Sequence, residues 1–339
     1  MSELHISRPK ESLSQIHPAV LLSIIVPFYN EQEVLEEFHS RLTKVLDSLP
    51  IASEIVYVDD GSKDNSLDVV SSFTSINSSI SVIGLSRNFG KESAMSAGLE
   101  HCRGQAVILL DADLQDPPEL IPQMIAKWRE GYDVVNMQRR QRDGETWFKK
   151  FSAASFYKVM NAAAKIDVPE NVGDFRLLSR EVVDHINQLP ERNRYMKGIF
   201  SWPGFRQATI QFNRDARFCG ETKWNYLKLI GLAMDGITSF SIRPLRIATA
   251  VGGLVALSAF IYGMVIVFKT MMFGEPITGY PSMMVVQLAL GGIQLLSIGL
   301  MGEYIGRIFI ETKNRPLYLI QSVVDTPALK THFKLEESA

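Results

Sequence analysis

The sequence predicts an α/β protein, a mainly parallel, Rossmann-like sheet domain followed by two C-terminal transmembrane helices. Three observations lead there. Short apolar, β-branched runs alternate with helical periodicities through residues 21–137, the rhythm of a parallel sheet covered by helices. Each of the first four runs ends in a polar cluster. Residues 247–268 and 282–302 carry no charged side chain, and each is long enough to cross ~30 Å of hydrocarbon at about 1.5 Å per residue.

Taken in order, residues 21–27 read as a first strand and 31–49 as a helix. The stretch 19–26 stops at Pro27 and lacks a small-residue cleavage site, so it is not a signal peptide. Strand and helix then alternate as 54–58 and 66–74, 80–85 and 91–102, and 106–110 and 118–130, before a strand at 133–137. The fourth helix opens with Pro in its first turn. After Met137 the rhythm breaks. Residues 138–150 form a basic loop holding Arg139, Arg140, Arg142, Lys149 and Lys150. Residues 147–165 are amphipathic and suit a core helix or an interfacial one equally, whereas 225–240 carry an apolar face suited to the membrane interface. The expected organisation is an N-terminal extension (1–18), an α/β domain (19–224), a juxtamembrane amphipathic helix (225–243), a two-helix transmembrane region (244–312) and a polar tail (313–339).

Charge refines this picture. The net charge of −2 and pI of about 6.3 give no global basic field for nucleic acid. Two cysteines cannot build a disulfide framework, and six scattered histidines show no zinc spacing. Arg243 and Arg246 precede the first span, and Arg307, Lys313 and Arg315 follow the second. By the positive-inside rule both ends, and the large N-terminal domain, face the cytoplasm. Glu303 and Arg307 stand four apart, a spacing that allows pairing on one helix face.

The four polar clusters are Pro27-Phe-Tyr29-Asn30-Glu31, Asp59-Asp60-Gly61-Ser62, Ser86-Arg87-Asn88-Phe-Gly90-Lys91 and Asp111-Ala112-Asp113-Leu-Gln115-Asp116. In a parallel sheet all four fall on the edge where open α/β sheets bind ligands. Carboxylates of the second cluster can accept hydrogen bonds from a base or ribose. Asp111, Asp113 and Gln115 offer hard oxygen ligands suited to Mg²⁺ or Mn²⁺, the ion that screens a diphosphate. No Gly-x-Gly-x-x-Gly follows the first strand. The run from Gly84 to Lys91 is one residue too long for a P-loop and has Glu92 where Ser or Thr must stand. Further on, Gly173-Asp174-Phe-Arg176-Leu-Leu-Ser179 and Arg217-Phe-Cys-Gly220-Glu-Thr222-Lys223 group cations with glycine, as phosphate sites do.

These clusters together resemble the family 2 GT-A glycosyltransferases, in the branch of polyprenyl-phosphate glycosyltransferases that includes dolichyl-phosphate mannose synthase. The two spans with Gly302-Glu-Tyr-Ile-Gly-Arg307 are similar to bacterial GtrB-type bactoprenol glucosyltransferases. The resemblance implies a GT-A domain and an inverting, metal-dependent transfer of a sugar, glucose from UDP-glucose above all, to undecaprenyl phosphate at the inner membrane for O-antigen or envelope glycosylation. Another donor, such as GDP-mannose or a different UDP-sugar, is the alternative; a non-catalytic sugar-lipid translocating protein is another. It further implies that Pro27, Tyr29, Glu31, Asp59, Asp60, Asp111, Ala112 and Gln115 bind the nucleotide sugar, and that Asp111, Asp113 and Gln115 meet Mg²⁺ or Mn²⁺. Arg217 and Lys223 would hold phosphates; Arg139, Arg140, Arg176 and Ser179 would meet the acceptor phosphate. Asp174 stands where inverting members of the superfamily carry a base. Thr222 departs from the usual Ser before the Lys. A tetramer packed through membrane and juxtamembrane helices is expected on the same ground.

Overall fold

The computed structural model describes residues 21–75, 79–140, 172–192, 194, 196–213, 243–273 and 279–325. The N-terminal extension, residues 141–171, Arg217, Lys223 and the juxtamembrane segment 225–240 lie outside the described residues.

The chain starts with β1 (Leu22–Phe28), α1 (Leu35–Asp47), β2 (Ser53–Asp59), α2 (Ser66–Phe73), β3 (Ile80–Leu85), α3 (Lys91–His101) and β4 (Ala106–Leu109). A 3₁₀ turn (Pro118–Leu120) leads into α4 (Ile121–Arg129), and β5 (Val134–Arg139) follows. Beyond residue 171 come β6 (Val172–Ser179), α5 (Arg180–Asn187), α6 (Met196–Ser201) and β7 (Gln207–Phe212). The long helices α7 (Arg243–Phe273) and α8 (Tyr280–Thr312) precede a final strand, β8 (Ile320–Asp325).

One eight-stranded sheet runs in the order β7-β5-β6-β4-β1-β2-β3-β8. β1 through β4 pair in parallel, as the alternating pattern predicts. All seven residues of β1 are buried, because helices cover both faces of the sheet. Phe38 and Leu42 of α1 pack on one face with Tyr57, while Met95 and Leu99 of α3 pack on the other with Ile25 and Val58. α3 approaches β1 so closely that a Cβ on Gly98 would collide with the Ile25 side chain. After β3 the chain crosses to the far side of β1 to form β4. The carboxyl ends of β1 and β4 therefore bound the crevice at the point where strand order reverses.

Three strands depart from the sequence reading. β6, expected only as a cation-bearing segment, inserts between β4 and β5 and runs antiparallel to both. β7 extends the sheet in parallel beside β5. β8 pairs antiparallel with β3, so part of the expected polar tail belongs to the main sheet. The pairing partner of each is distant in sequence, so local periodicity carried no sign of the pairing.

The two long helices expose large apolar side chains all round, among them Leu254 (66%), Phe260 (68%) and Leu295 (72%). They are long and apolar enough to cross a membrane, and such a surface suits lipid rather than water. Arg307 does pair with Glu303, at 3.0 Å. Beyond α8 the chain is fastened to the sheet domain. Both Glu311 carboxylate oxygens accept the Arg192 backbone N–H at 3.0 Å. Arg192 Nη2 donates to Asn314 Oδ1 at 2.6 Å, Ser86 N–H donates to Leu319 O at 2.9 Å, and the Tyr318 hydroxyl donates to Glu100.

At the sheet edge opposite the crevice, Glu54 is 2% exposed. It accepts from Ser23 Oγ at 2.6 Å, from the Arg103 backbone N–H at 2.7 Å and from the Arg103 guanidinium at 2.5 and 2.9 Å. Glu54→Ala leaves the buried Ser23 hydroxyl and the part-exposed Arg103 guanidinium without their acceptor. It should lower the thermal unfolding midpoint of the detergent-solubilised protein, at a cost of about 2–3 kcal/mol, measured by circular dichroism. An unchanged midpoint would show that water replaces the carboxylate there.

Candidate active site

The four polar clusters meet at one edge, stitched together by backbone and side chain. Asn30 adopts a left-handed conformation (φ 54°) directly after β1, which turns the chain across the second cluster. Its N–H donates to Ser62 Oγ at 3.0 Å, and its Oδ1 accepts from Lys63 N–H at 2.8 Å. Glu31 N–H donates to Ser66 Oγ at 2.9 Å. Gly61 has φ 69° and lies against the third cluster; a Cβ there would stand 2.7 Å from Arg87 Cα. Only glycine satisfies both constraints.

The paired aspartates of the second cluster have separate tasks. Asp59 accepts from Ser62 N–H at 3.0 and 3.2 Å, closing its own turn. Asp60 accepts from Phe89 N–H at 2.8 Å and Gly90 N–H at 3.0 Å, which shapes the entry to α3. Burial pushes both carboxyls above the usual carboxylate range. Pro27, Tyr29, Glu31, Asp60, Lys91, Asp111, Ala112 and Asp113 line one cleft at the β1/β4 crossover. Gln115, in the same turn, is 7% exposed, and its backbone N–H donates to Asp113 Oδ1 at 3.1 Å. Between Asp113 and Gln115, Leu114 has φ 58° while its side chain is buried. A non-glycine residue held there costs on the order of 1 kcal/mol, a strain that collects at functional turns.

β6 completes the site. Its antiparallel register sets Leu109 opposite Arg176; continued by two residues, it sets Asp111 opposite Asp174. The Lys91 ammonium stands between them. It is 2.6 Å from Asp111 Oδ1, 2.7 Å from Asp111 Oδ2 and 2.6 Å from Asp174 Oδ2. Burial acts to lower the Lys91 pKa, but the two carboxylates outweigh it and hold the ammonium above its ordinary value. Burial likewise acts to raise Asp174, yet Lys91, Lys197 and Arg176 bring it down to about 2.

The expected acceptor residues separate. Arg139 ends β5 on this edge, 3.8 Å from Asp116, and its guanidinium lies so close over Gly173 that a Cβ there would meet Nη2 at 2.8 Å. Arg140 is exposed and follows it. Arg176 is 3% exposed, donates to Gly173 O at 2.7 Å and lies over the Phe200 ring at 4.2 Å. Ser179 is not at the site. It pairs with Ala106 at the start of β4 and caps α5, accepting from Val182 N–H at 3.5 Å. Five residues of strand carry it about 17 Å from Asp174.

Three further residues belong to this site. Lys91 closes the third polar cluster, where the sequence assigns it no role of its own. Lys197, on α6, stands in the field of Asp174, Arg176, Lys91 and Arg139, and burial lowers its pKa. Glu92 accepts from Met196 N–H at 3.2 Å, and burial, then Asp174, push its carboxyl up to about 7. No local motif marks Lys197, because α6 brings it in from a distant part of the chain; Glu92 is marked only as the residue that breaks a P-loop.

The donor set fits a divalent cation. Asp111 and Asp113 present hard oxygens to the cleft, and Asp111 already holds a cation, the Lys91 ammonium. Among the described residues no cluster of three acidic, His or Cys side chains forms a complete metal cage. A metal here would take its remaining ligands from a diphosphate and water.

Glu92 also gives a pH signature. Its folded pKa of about 7 exceeds the ordinary value of 4.5, so the fold binds its proton more tightly than the unfolded chain does. That stabilisation is complete below about pH 4.5 and is lost as pH rises through 7. Glu92→Gln should therefore stabilise the fold above pH 7, by about 3 kcal/mol, with the gain vanishing near pH 4.5. A pH-independent difference in thermal melts would show that Glu92 ionises normally.

Comparison with known proteins agrees with this geometry. Residues 23–186 match the model for glycosyl transferase family 2, and residues 243–308 match the GtrB C-terminal hairpin. An uncharacterised glycosyltransferase of Synechocystis sp. is 51% identical over 302 residues, covering 89% of this chain and 95% of the relative. A bactoprenol glucosyl transferase of Shigella phage SfX is 46% identical, covering 89% and 99%. A prophage bactoprenol glucosyl transferase homologue of Escherichia coli is 45% identical with the same coverages, 89% and 99%. With its family 2 domain, its crevice at the strand crossover and its C-terminal hairpin, the chain belongs to the family 2 glycosyltransferases, in the branch that carries the GtrB hairpin.

Proposed function

We propose that this enzyme transfers a hexosyl group, glucose foremost, from a nucleoside-diphosphate sugar to a polyprenyl phosphate at the cytoplasmic face of the membrane. One juxtaposition carries the reading. The Lys91 ammonium joins the acidic cleft, through Asp111, to Asp174 and the cations around it, in a chain that continues into a membrane hairpin. The relatives named as bactoprenol glucosyl transferases support the same acceptor and sugar. Arg243, Arg246, Arg307, Lys313 and Arg315 flank the two spans, which favours a cytoplasmic catalytic domain.

The chemistry is a single displacement. A phosphate oxygen of the acceptor attacks the anomeric carbon as the bond to the donor diphosphate breaks, and the configuration inverts. Pro27, Tyr29, Glu31 and Asp60 bind the nucleoside. Asp111, Asp113 and Gln115 would hold Mg²⁺ or Mn²⁺, which when bound supplies positive charge against the departing diphosphate. Arg139, Arg176 and Lys197 offset the charge of the incoming phosphate, with Arg217 and Lys223 assigned to phosphates on the family pattern alone. The acceptor needs little help in losing its proton, since a phosphate monoester has a second pKa near ~6. Asp174, held at about 2, is a poor proton acceptor from such a group. Its role in this scheme is to anchor the surrounding cations.

Full-length protein in nanodiscs, given labelled UDP-glucose, undecaprenyl phosphate and Mg²⁺ or Mn²⁺, should form a labelled lipid. Label appearing only with GDP-mannose or another UDP-sugar would reassign the donor. Donor binding without any labelled lipid would favour a non-catalytic translocating role. Asp113→Ala should abolish transfer, by about three orders of magnitude or more, while the circular dichroism spectrum is retained. Near-normal turnover in that variant would sink the metal assignment.

A further inference from the structure

We propose that Lys91 is a positioning residue that occupies the metal-binding carboxylate before the donor arrives and yields it as the donor and its cation bind. The inference rests on the assignment of Asp111 to the metal, and adds an internal competitor for that position. Its basis is geometric. The Lys91 ammonium lies 2.6 Å from one Asp111 oxygen and 2.7 Å from the other. Both oxygens that would face a cation are already covered by one. A divalent ion therefore cannot ligate Asp111 without moving the ammonium away, because two cations on one carboxylate repel each other strongly at this range.

The ammonium has a place to go. Its second contact, Asp174 Oδ2 at 2.6 Å, belongs to a strand on the other side of β4 from β1. Asp174 can retain the ammonium when Asp111 turns to the metal. The Lys91 side chain is 43% exposed and stands at the first position of α3, so its stem can swing without disturbing the core. The exchange leaves the net charge of the centre unchanged. Without the donor, one ammonium bridges two facing carboxylates. With it, the cation and diphosphate sit on Asp111 while the ammonium remains on Asp174, beside Lys197 and Arg176, where an anionic acceptor would approach.

Mn²⁺ binding to full-length protein in nanodiscs, followed by the free-ion paramagnetic resonance signal without nucleotide, tests this directly. Wild type should bind Mn²⁺ weakly until UDP is added. Lys91→Met should bind Mn²⁺ without UDP about tenfold more tightly, or better, since the competing charge is gone, and should lose most of its turnover. Lys91→Arg should restore weak binding. The double variant Lys91→Met/Asp174→Asn removes one positive and one negative charge. It guards against a single variant that fails to fold, and should also bind Mn²⁺ tightly. A purely structural lysine would leave Mn²⁺ affinity unchanged or reduce it, and that result in the folded double variant overturns the proposal. Asp111→Asn separates the two readings. Mn²⁺ binding with UDP that survives this change overturns the metal assignment and the Lys91 proposal together, whereas loss of binding there with no gain in Lys91→Met overturns Lys91 alone.

Discussion

The site depends on bringing carboxylates together without letting them repel one another apart. Asp111 and Asp174 reach the same Lys91 ammonium because β6 runs antiparallel beside β4. Left alone, two such groups in a half-buried setting would shift one pKa upward or force the strand ends apart. The Lys91 ammonium, in contact with both, removes that conflict. It is delivered by the start of α3, whose entry is in turn shaped by Asp60 accepting the Phe89 and Gly90 backbone N–H groups. The second cluster thereby orients the cation that steadies the fourth.

α3 also links this centre to the membrane. Lys91 lies at its beginning, and Glu100, near its end, accepts the Tyr318 hydroxyl from the segment that leaves the second span. About 14 Å of helix separates the two positions. Around the same junction, Arg192 binds Glu311 and Asn314, and β8 closes onto β3. The hairpin is thus fastened to the sheet domain by hydrogen bonds and a strand pairing, not by a linker alone. A lipid-borne acceptor has a defined orientation relative to the cleft only if the domain is held in this way.

Much of the scaffold was legible in the chain. Each of β1 to β4 is a short apolar run closed by turn residues, and each is paired with a sequence neighbour or reached by one crossover, so periodicity suffices to find it. Asp60, Asp111 and Asp113 could be picked out because a parallel sheet brings the ends of these strands to one edge. The placement of Ser179 could not, since proximity in sequence to Asp174 suggested proximity in space, and an extended strand separates the two by its full length. The pairing of Glu303 with Arg307 was readable because helix geometry alone decides it.

The sequence by itself determined the alternating α/β rhythm, the two apolar spans and the acidic character of the cleft. All three follow from patterns within a few residues of one another. Tertiary structure alone decided that β6 inserts antiparallel, that β8 returns to the sheet after the membrane hairpin, and that Lys91, Glu92 and Lys197 converge on Asp174. These outcomes depend on contacts between distant segments, where burial and charge balance choose the partners and local propensity has no influence.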